Sequence, residues 1–190
     1  MQQLLTSKTR LNGCVGKWAI KKLEDLEFKN GQMLSSSDFK QGNIPVIAGG
    51  KSAAGFHNVS NRPANTITIS GSGASAGFVA FHRNPIFASD CTTINEQQGI
   101  SVVYLYYYLV SVQDEIYKCQ TGGAQPHVHA KDIKDIVLLL PPSILEQRAI
   151  AEILSNMDAE IETLQQKRDK FAAIKDGMMQ QLLSGKIRLI

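Results

Sequence analysis

The hydrophobic pattern changes character once along the chain, at Pro141-Pro142. Before this point, short apolar runs alternate with Gly, Ser and Asn. After it, one heptad pattern continues almost to the end. In the first part, Thr66-Ile67-Thr68-Ile69-Ser70 alternates β-branched residues and predicts a strand. Residues 77–81 predict a second strand, joined to it by the turn-like Gly71-Ser72-Gly73-Ala74-Ser75-Ala76. Residues 44–48 predict a strand at an edge or a sheet start, because Pro45 cannot donate to a ladder, and residues 85–89 a further one. Residues 101–118 read as one helix with Val102, Leu105, Tyr106, Leu109, Val112 and Ile116 on one side. Ile133, Ile136 and residues 137–140 read as a last, buried strand. The tyrosines at 104, 106, 107 and 108 fan around a helix axis, which suits core packing better than a base-stacking platform.

The double proline ends any ladder. Ser143-Ile144-Leu145-Glu146 then reads as a capping box, with the Ser143 hydroxyl accepting from the Glu146 amide and the Glu146 carboxylate from that of Ser143. No proline follows, and Gly185 is placed to stop the helix in the left-handed conformation. At ~1.5 Å per residue this helix is on the order of 60 Å long. Its apolar residues form one seam: Ile150, Met157, Leu164, Phe171 and Met178 in one register, Leu154, Ile161 and Leu182 in the other. Arg168 and Lys175 interrupt the second register, and a polar position there trades stability for specificity of register or orientation. A helix lying only on its own domain is the plainer alternative. The seam, however, outruns the roughly 30–35 Å diameter expected of a domain of about 140 residues, so much of it is expected to meet another helix. The fold class is therefore α+β: a globular domain with a twisted mixed or antiparallel sheet and flanking helices, then one long helix whose seam is expected to meet another helix.

The two ends repeat each other. Met1-Gln2-Gln3-Leu4-Leu5-Thr6-Ser7-Lys8-Thr9-Arg10-Leu11 matches Met179-Gln180-Gln181-Leu182-Leu183-Ser184-Gly185-Lys186-Ile187-Arg188-Leu189 at eight of eleven positions. Three segments follow: a helical stub at 1–15 repeating the end of the long helix, a globular domain at 16–142, and the helix at 143–190. The first segment begins where another copy's helix would end, so the chain reads as one unit of a two-fold object.

Composition sharpens this division. The 190 residues carry 20 Lys+Arg against 17 Asp+Glu, a formal +3. Residues 143–190 hold seven of each sign, so the surplus belongs wholly to the residues before them. A polyanion would meet the globular part, and the balanced helix would meet protein. No apolar run approaches the ~20 residues of a membrane-spanning helix, the first ten residues lack a signal-peptide pattern, and three cysteines at no recognisable spacing fit a reducing cytoplasm.

Several catalytic look-alikes fail on spacing. Gly50-Lys51-Ser52 has Pro45 where a phosphate-binding loop needs its first glycine. Gly71-Ser72-Gly73 lies between two strands, and its third glycine, Gly77, comes one position late. Ser37-Asp38-Phe39-Lys40 lacks companion elements. His127-Val128-His129 lacks further ligands at zinc spacing, so no metal is expected. Asn84-Pro85-Ile86-Phe87 resembles the Asn-Pro-Pro-aromatic motif of amino-methylating DNA methyltransferases, with Ile86 where the second proline belongs. What remains is polar loop chemistry suited to binding. Lys51, Arg62 and Lys131 suit phosphates, whereas Ser52, Ser72, Ser75, Gln125, His127 and His129 can read base edges or support the contact.

The segment Leu140-Pro141-Pro142-Ser143-Ile144-Leu145-Glu146-Gln147-Arg148-Ala149-Ile150-Ala151 resembles the boundary signature of specificity subunits of type I restriction–modification systems. There a target-recognition domain ends in L-P-P, and E-Q-x-x-I-A starts a long conserved helix. Leu182-Leu183-Ser184-Gly185-Lys186-Ile187-Arg188-Leu189 resembles that helix's end, and Thr121-Gly122-Gly123-Ala124-Gln125-Pro126 with Lys131-Asp132-Ile133 the turn before the domain's last strand. The resemblance implies a non-catalytic subunit that selects a double-stranded DNA target. It implies partner methyltransferase subunits using S-adenosylmethionine and a restriction subunit using ATP and magnesium, with no cofactor in this chain. Such subunits carry two recognition domains and two helices. This chain has one of each, which implies a half-length form, natural or truncated, acting as a homodimer with its long helix in an antiparallel coiled coil with a partner copy. A self-contained DNA adenine methyltransferase fragment, on the strength of Asn84–Phe87, and a coiled-coil adaptor without a DNA role are the alternatives.

Overall fold

The computed structural model describes residues 2–187. In chain order these form α1 (Gln2–Leu5), β1 (Ala19–Lys22), β2 (Lys29–Asn30), β3 (Ile44–Ile47), β4 (Gly55–His57), β5 (Thr66–Ser70), β6 (Val79–His82), β7 (Phe87–Ala88), β8 (Cys91–Ile94), α2 (Val102–Ser111), α3 (Gln113–Lys118), α4 (Ala130–Ile133), β9 (Val137–Leu140) and α5 (Ile144–Leu183). The class is α+β, as expected. A four-stranded antiparallel sheet has the order β2-β8-β5-β6. A mixed sheet has the order β4-β3-β7, with β3 and β7 parallel, and β1 pairs with β9 in a separate ribbon.

The core forms around β5. All five of its residues are buried because it lies between β6 and β8, with α2 packed across β5 and β6. Ile67 and Ile69 on β5, Leu105 and Leu109 on α2, and Ile116 on α3 are all fully buried. Tyr104, Tyr107 and Tyr108 are buried too. The hydroxyls of Tyr104 and Tyr108 donate to the carbonyls of Leu139 (2.8 Å) and Val137 (3.1 Å), tying α2 to β9. Tyr104 and Tyr108 are thus core residues with satisfied polar tips.

Five local expectations change. The helix over 101–118 breaks at Val112 (φ −108°, ψ 20°) into α2 and α3. There the Ser111 hydroxyl donates back to the Tyr108 carbonyl (2.6 Å) and competes with the helical ladder. The strand with Pro45 is the middle of its sheet, not an edge. The proline is tolerated because β7 pairs only from Val46 onward. The strand at 85–89 shortens to β7, in a different sheet from β5. Ile133 ends a helical turn, and β9 is only half-buried, since β1 is its sole partner and is itself exposed. The capping box is replaced. The Ser143 hydroxyl accepts from the Leu145 amide (3.2 Å), and Glu146 is buried with its two carboxylate oxygens on Arg10 Nε and Nη2, each at 2.9 Å.

The chain forms two compact units, the first running to Ala151 and the second starting at Glu152. The first turns of α5 belong to the first unit, because Gln147 is buried there. Its side chain accepts from the Ser101 amide (2.8 Å) and donates to the carbonyls of Gly99 (3.2 Å) and Pro141 (3.1 Å). In the second unit the helix continues to Leu183 and ends in a Schellman arrangement. Gly185 (φ +69°) donates to Leu182, and Lys186 to Gln181. The seam divides: Ile150 and Leu154 are already buried within the chain, whereas Met157, Ile161, Leu164, Phe171, Met178 and Leu182 are exposed.

The end repeat is also a repeat of geometry. The Thr9 amide donates to the Gln3 carbonyl (3.0 Å) and the Ile187 amide to Gln181 (3.3 Å), at matching positions of the repeat. Ser7 (φ +58°) stands where Gly185 does, in the same left-handed conformation. Met1, Arg188 and Leu189 lie outside the described residues.

His82 on β6 faces the Thr68 hydroxyl (Nε2–Oγ1 2.9 Å), and burial lowers its pKa. The folded chain therefore favours neutral imidazole. This contribution to stability is complete above the unfolded value near 6.5 and is lost as pH falls below that through the lower folded value. The urea midpoint is expected to fall on acidification from pH 7.5 to 5, and less so in His82→Gln.

Candidate nucleic-acid interface

Three polar loops that are far apart in sequence meet at one end of β5. The turn from Gly71 to Ala76 follows β5 directly. Loop 121–129 is stitched to it: the Gly73 amide donates to the Pro126 carbonyl and the Val128 amide to that of Gly71, both at 3.0 Å. Thr121 and His127 exchange backbone hydrogen bonds (2.9 and 2.8 Å), which closes this loop on itself. Glycine is required at 122, where φ is +87° and a β-carbon would lie 2.7 Å from the Gln125 carbonyl oxygen. The third loop, 49–55, follows β3. A β-carbon at Gly49 would lie 2.4 Å from the Ser72 carbonyl oxygen, so only glycine lets this backbone approach so closely.

This convergence gathers most of the residues singled out from the sequence. Lys51 and Ser52 are exposed on loop 49–55, and Lys51 Nζ lies 5.4 Å from the centre of the Phe78 ring. Ser72 and Ser75 are half-buried on the turn, and Gln125 is exposed. The rings of His127 and His129 stack, with centroids 6.1 Å apart. Lys131 follows, exposed, on α4. The His129 amide donates to the Asp132 carboxylate (2.9 Å), which fixes the start of that turn.

Arg62 does not join them. Its Nε donates to Thr93 Oγ1 (2.8 Å), its Nη1 to the Asn61 carbonyl (2.8 Å) and its Nη2 to the Asn30 carbonyl (2.5 Å). Thr93 Oγ1 in turn donates to the Lys29 carbonyl (2.9 Å). The guanidinium therefore clamps β2 to β8, a structural role in addition to the phosphate contact expected of it. Two further residues enter the site without a signal in the sequence pattern. One is Phe78, beside Lys51. The other is Asp90, whose carboxylate accepts from the Ser72 hydroxyl and whose carbonyl accepts from the Gly71 amide (3.0 Å).

Among the described residues, no group of three or more His, Cys, Asp and Glu side chains could hold a metal ion, and no helix is long and apolar enough to cross a membrane. Burial pushes the Cys91 thiol up to about 12, so it stays protonated and unreactive. In the Asn84–Phe87 motif, Ile86 and Phe87 are core residues, and the Phe87 ring packs edge-on against His57 at 5.3 Å. That ring is not displayed for stacking on a base.

Comparison with known proteins agrees with this architecture. The family model described as "Type I restriction modification DNA specificity domain" matches residues 16–171. A protein of Mycoplasma pneumoniae named as a type I specificity subunit is 34% identical over 165 residues, which is 84% of this chain and 44% of that protein. The specificity subunit of a type I restriction enzyme of Methanocaldococcus jannaschii is 30% identical over 121 residues, 63% of this chain and 28% of that one. The chain thus spans less than half the length of these curated relatives. Among solved structures, the type I restriction–modification S subunit from M. genitalium superposes with a TM-score of 0.73 at 25% identity, covering 93% of this chain and 48% of that one. The S subunit (HsdS) of Thermoanaerobacter tengcongensis shares the fold, with a TM-score of 0.62 at 18% identity over 95% of this chain and 49% of that one. The L-P-P boundary, the long helix and the matched domain model agree: the chain belongs to the type I restriction modification DNA specificity domain family.

Proposed function

We propose that the chain is a non-catalytic DNA-reading subunit whose globular unit recognises one half of a bipartite target. The convergence of loops 49–55, 71–76 and 121–131 carries this reading. It brings two lysines, two imidazoles, an exposed glutamine and three serines together on the part of the chain that holds the whole positive surplus. Lys51 and Lys131 position the phosphates, and the shorter polar side chains face the base edges.

The exposed seam from Met157 to Leu182 supports the second half of the proposal, an antiparallel pairing with a second copy. Two-fold pairing imposes two-fold symmetry on the half-sites, separated by a spacer the protein does not read. In this reading the helix pair also scaffolds the methyltransferase and restriction subunits. Those subunits bring S-adenosylmethionine and ATP with magnesium, and the assembly works in the cytoplasm.

Mapping methylated bases in cells with and without this gene tests the reading. Loss of one interrupted, two-fold-symmetric motif is expected on deletion. An unchanged methylation map counts against a DNA-reading role. Incubating the purified chain with DNA and labelled S-adenosylmethionine separates the methyltransferase reading, because label transfer without a partner subunit would favour it.

A further inference from the structure

We infer that Ser72 and Asp90 form a preset hydrogen-bond acceptor pair that reads the exocyclic amino group of a cytosine. The inference rests on the DNA-reading role proposed above and assigns one base to it. A serine hydroxyl carries one proton and two lone pairs. The Ser72 proton is committed to Asp90 Oδ2, so the oxygen is left to accept. An ionised carboxylate also only accepts. Asp90 is half-buried, with its Oδ2 on the Ser72 hydroxyl.

Both groups are held by backbone. The Gly71 amide donates to the Asp90 carbonyl, and Gly73 is tied to Pro126. A β-carbon at Gly71 would lie 2.6 Å from Asp90 Oδ1 and one at Gly49 3.3 Å from Oδ2, so the glycines allow the three loops to close on the carboxylate. The pair sits beside His127, through the Ser72–His127 bridge, and next to the lysine-bearing loop 49–55.

Two adjacent acceptors select a base that offers a donor in the groove and no acceptor of its own beside it. In the major groove cytosine presents only its N4 amino donor. Adenine places its N7 acceptor next to the N6 amine, and thymine and guanine present carbonyl oxygens. Adenine therefore meets one matched and one opposed contact, and thymine and guanine are opposed throughout. Asp90 also repels phosphate, so it weakens binding to DNA that lacks the matching base and sharpens discrimination.

Selection of sites from a pool of randomised duplexes by the full chain, by Ser72→Ala and by Asp90→Ala tests the pair. The unaltered chain is expected to enrich cytosine at one position of its motif. Ser72→Ala should lower that preference about tenfold and leave the other positions alone. Asp90→Ala frees the hydroxyl to donate as well as accept. It should admit thymine or guanine at the same position and tighten binding to non-selected DNA. Ser72→Ala removes a single oxygen and keeps the backbone contacts, so its result stands even if Asp90→Ala fails to fold. A motif unchanged in both variants, or one with adenine at the affected position, overturns the cytosine assignment. Absence of any enriched motif with the unaltered chain overturns the DNA-reading role itself.

Discussion

On the proposed antiparallel pairing, replacing Phe171 with aspartate is expected to leave the chain monomeric while keeping the fold intact. Phe171 is 59% exposed in the single chain, so its own unit loses little when the ring is removed. Burying a phenylalanine against a partner is worth roughly 1.5–3 kcal/mol. In a two-fold pair each substitution is made twice. The expected loss is about 3–6 kcal/mol, or on the order of 10²–10⁴ in dimer Kd, before the cost of burying the new carboxylate. Sedimentation at micromolar concentration reads the change directly, and the melting curve of the globular unit should not move. An unchanged oligomer together with unchanged binding of partner subunits would count against the seam. Ile150 and Leu154 are unsuitable for this experiment despite their place in the heptad pattern. They are buried within the chain, and their replacement would perturb folding.

The second large effect contrasts two cations. Arg62→Ala is expected to lower stability by about 2–3 kcal/mol, because a charged donor set serving Thr93, Asn61 and Asn30 is lost and those acceptors are left without it. Lys51→Ala should leave the urea midpoint nearly unchanged. It should instead weaken binding to duplex DNA of any sequence and reduce the slope of log affinity against log salt by about one. The two measurements exchange places between the variants. If Arg62→Ala altered the salt slope and left stability alone, the clamp between β2 and β8 would not be its role.

The contrast shows how far residue type predicts function. As members of a list of basic loop residues, Arg62 and Lys51 look alike. They differ because Arg62 follows Asn61 into an antiparallel bridge with Ile86, which carries the guanidinium over Thr93, 31 residues away. Lys51 lies on a loop whose backbone is held by Gly49 and Ser70, leaving its side chain outward. The same limit explains Glu146. Its spacing from Ser143 satisfies a capping box, but its carboxylate lies on Arg10, 136 residues earlier. An interaction between residues 136 apart leaves no periodic trace.

Where the information is local, the sequence was sufficient. The 40-residue helix, its glycine stop, the strand over Thr66–Ser70, the hairpin to β6 and the matching termini all follow from neighbours within a few positions. Periodicity and capping act over that range. Tertiary structure alone decided which polar loops share a surface, which cation belongs to the fold, that Asp90 sets the polarity of Ser72, and where the helical seam passes from buried to exposed. Each of these depends on backbone contacts between segments that no spacing rule connects. The long helix was therefore legible residue by residue, whereas the candidate interface became so only once β5 had brought its loops together.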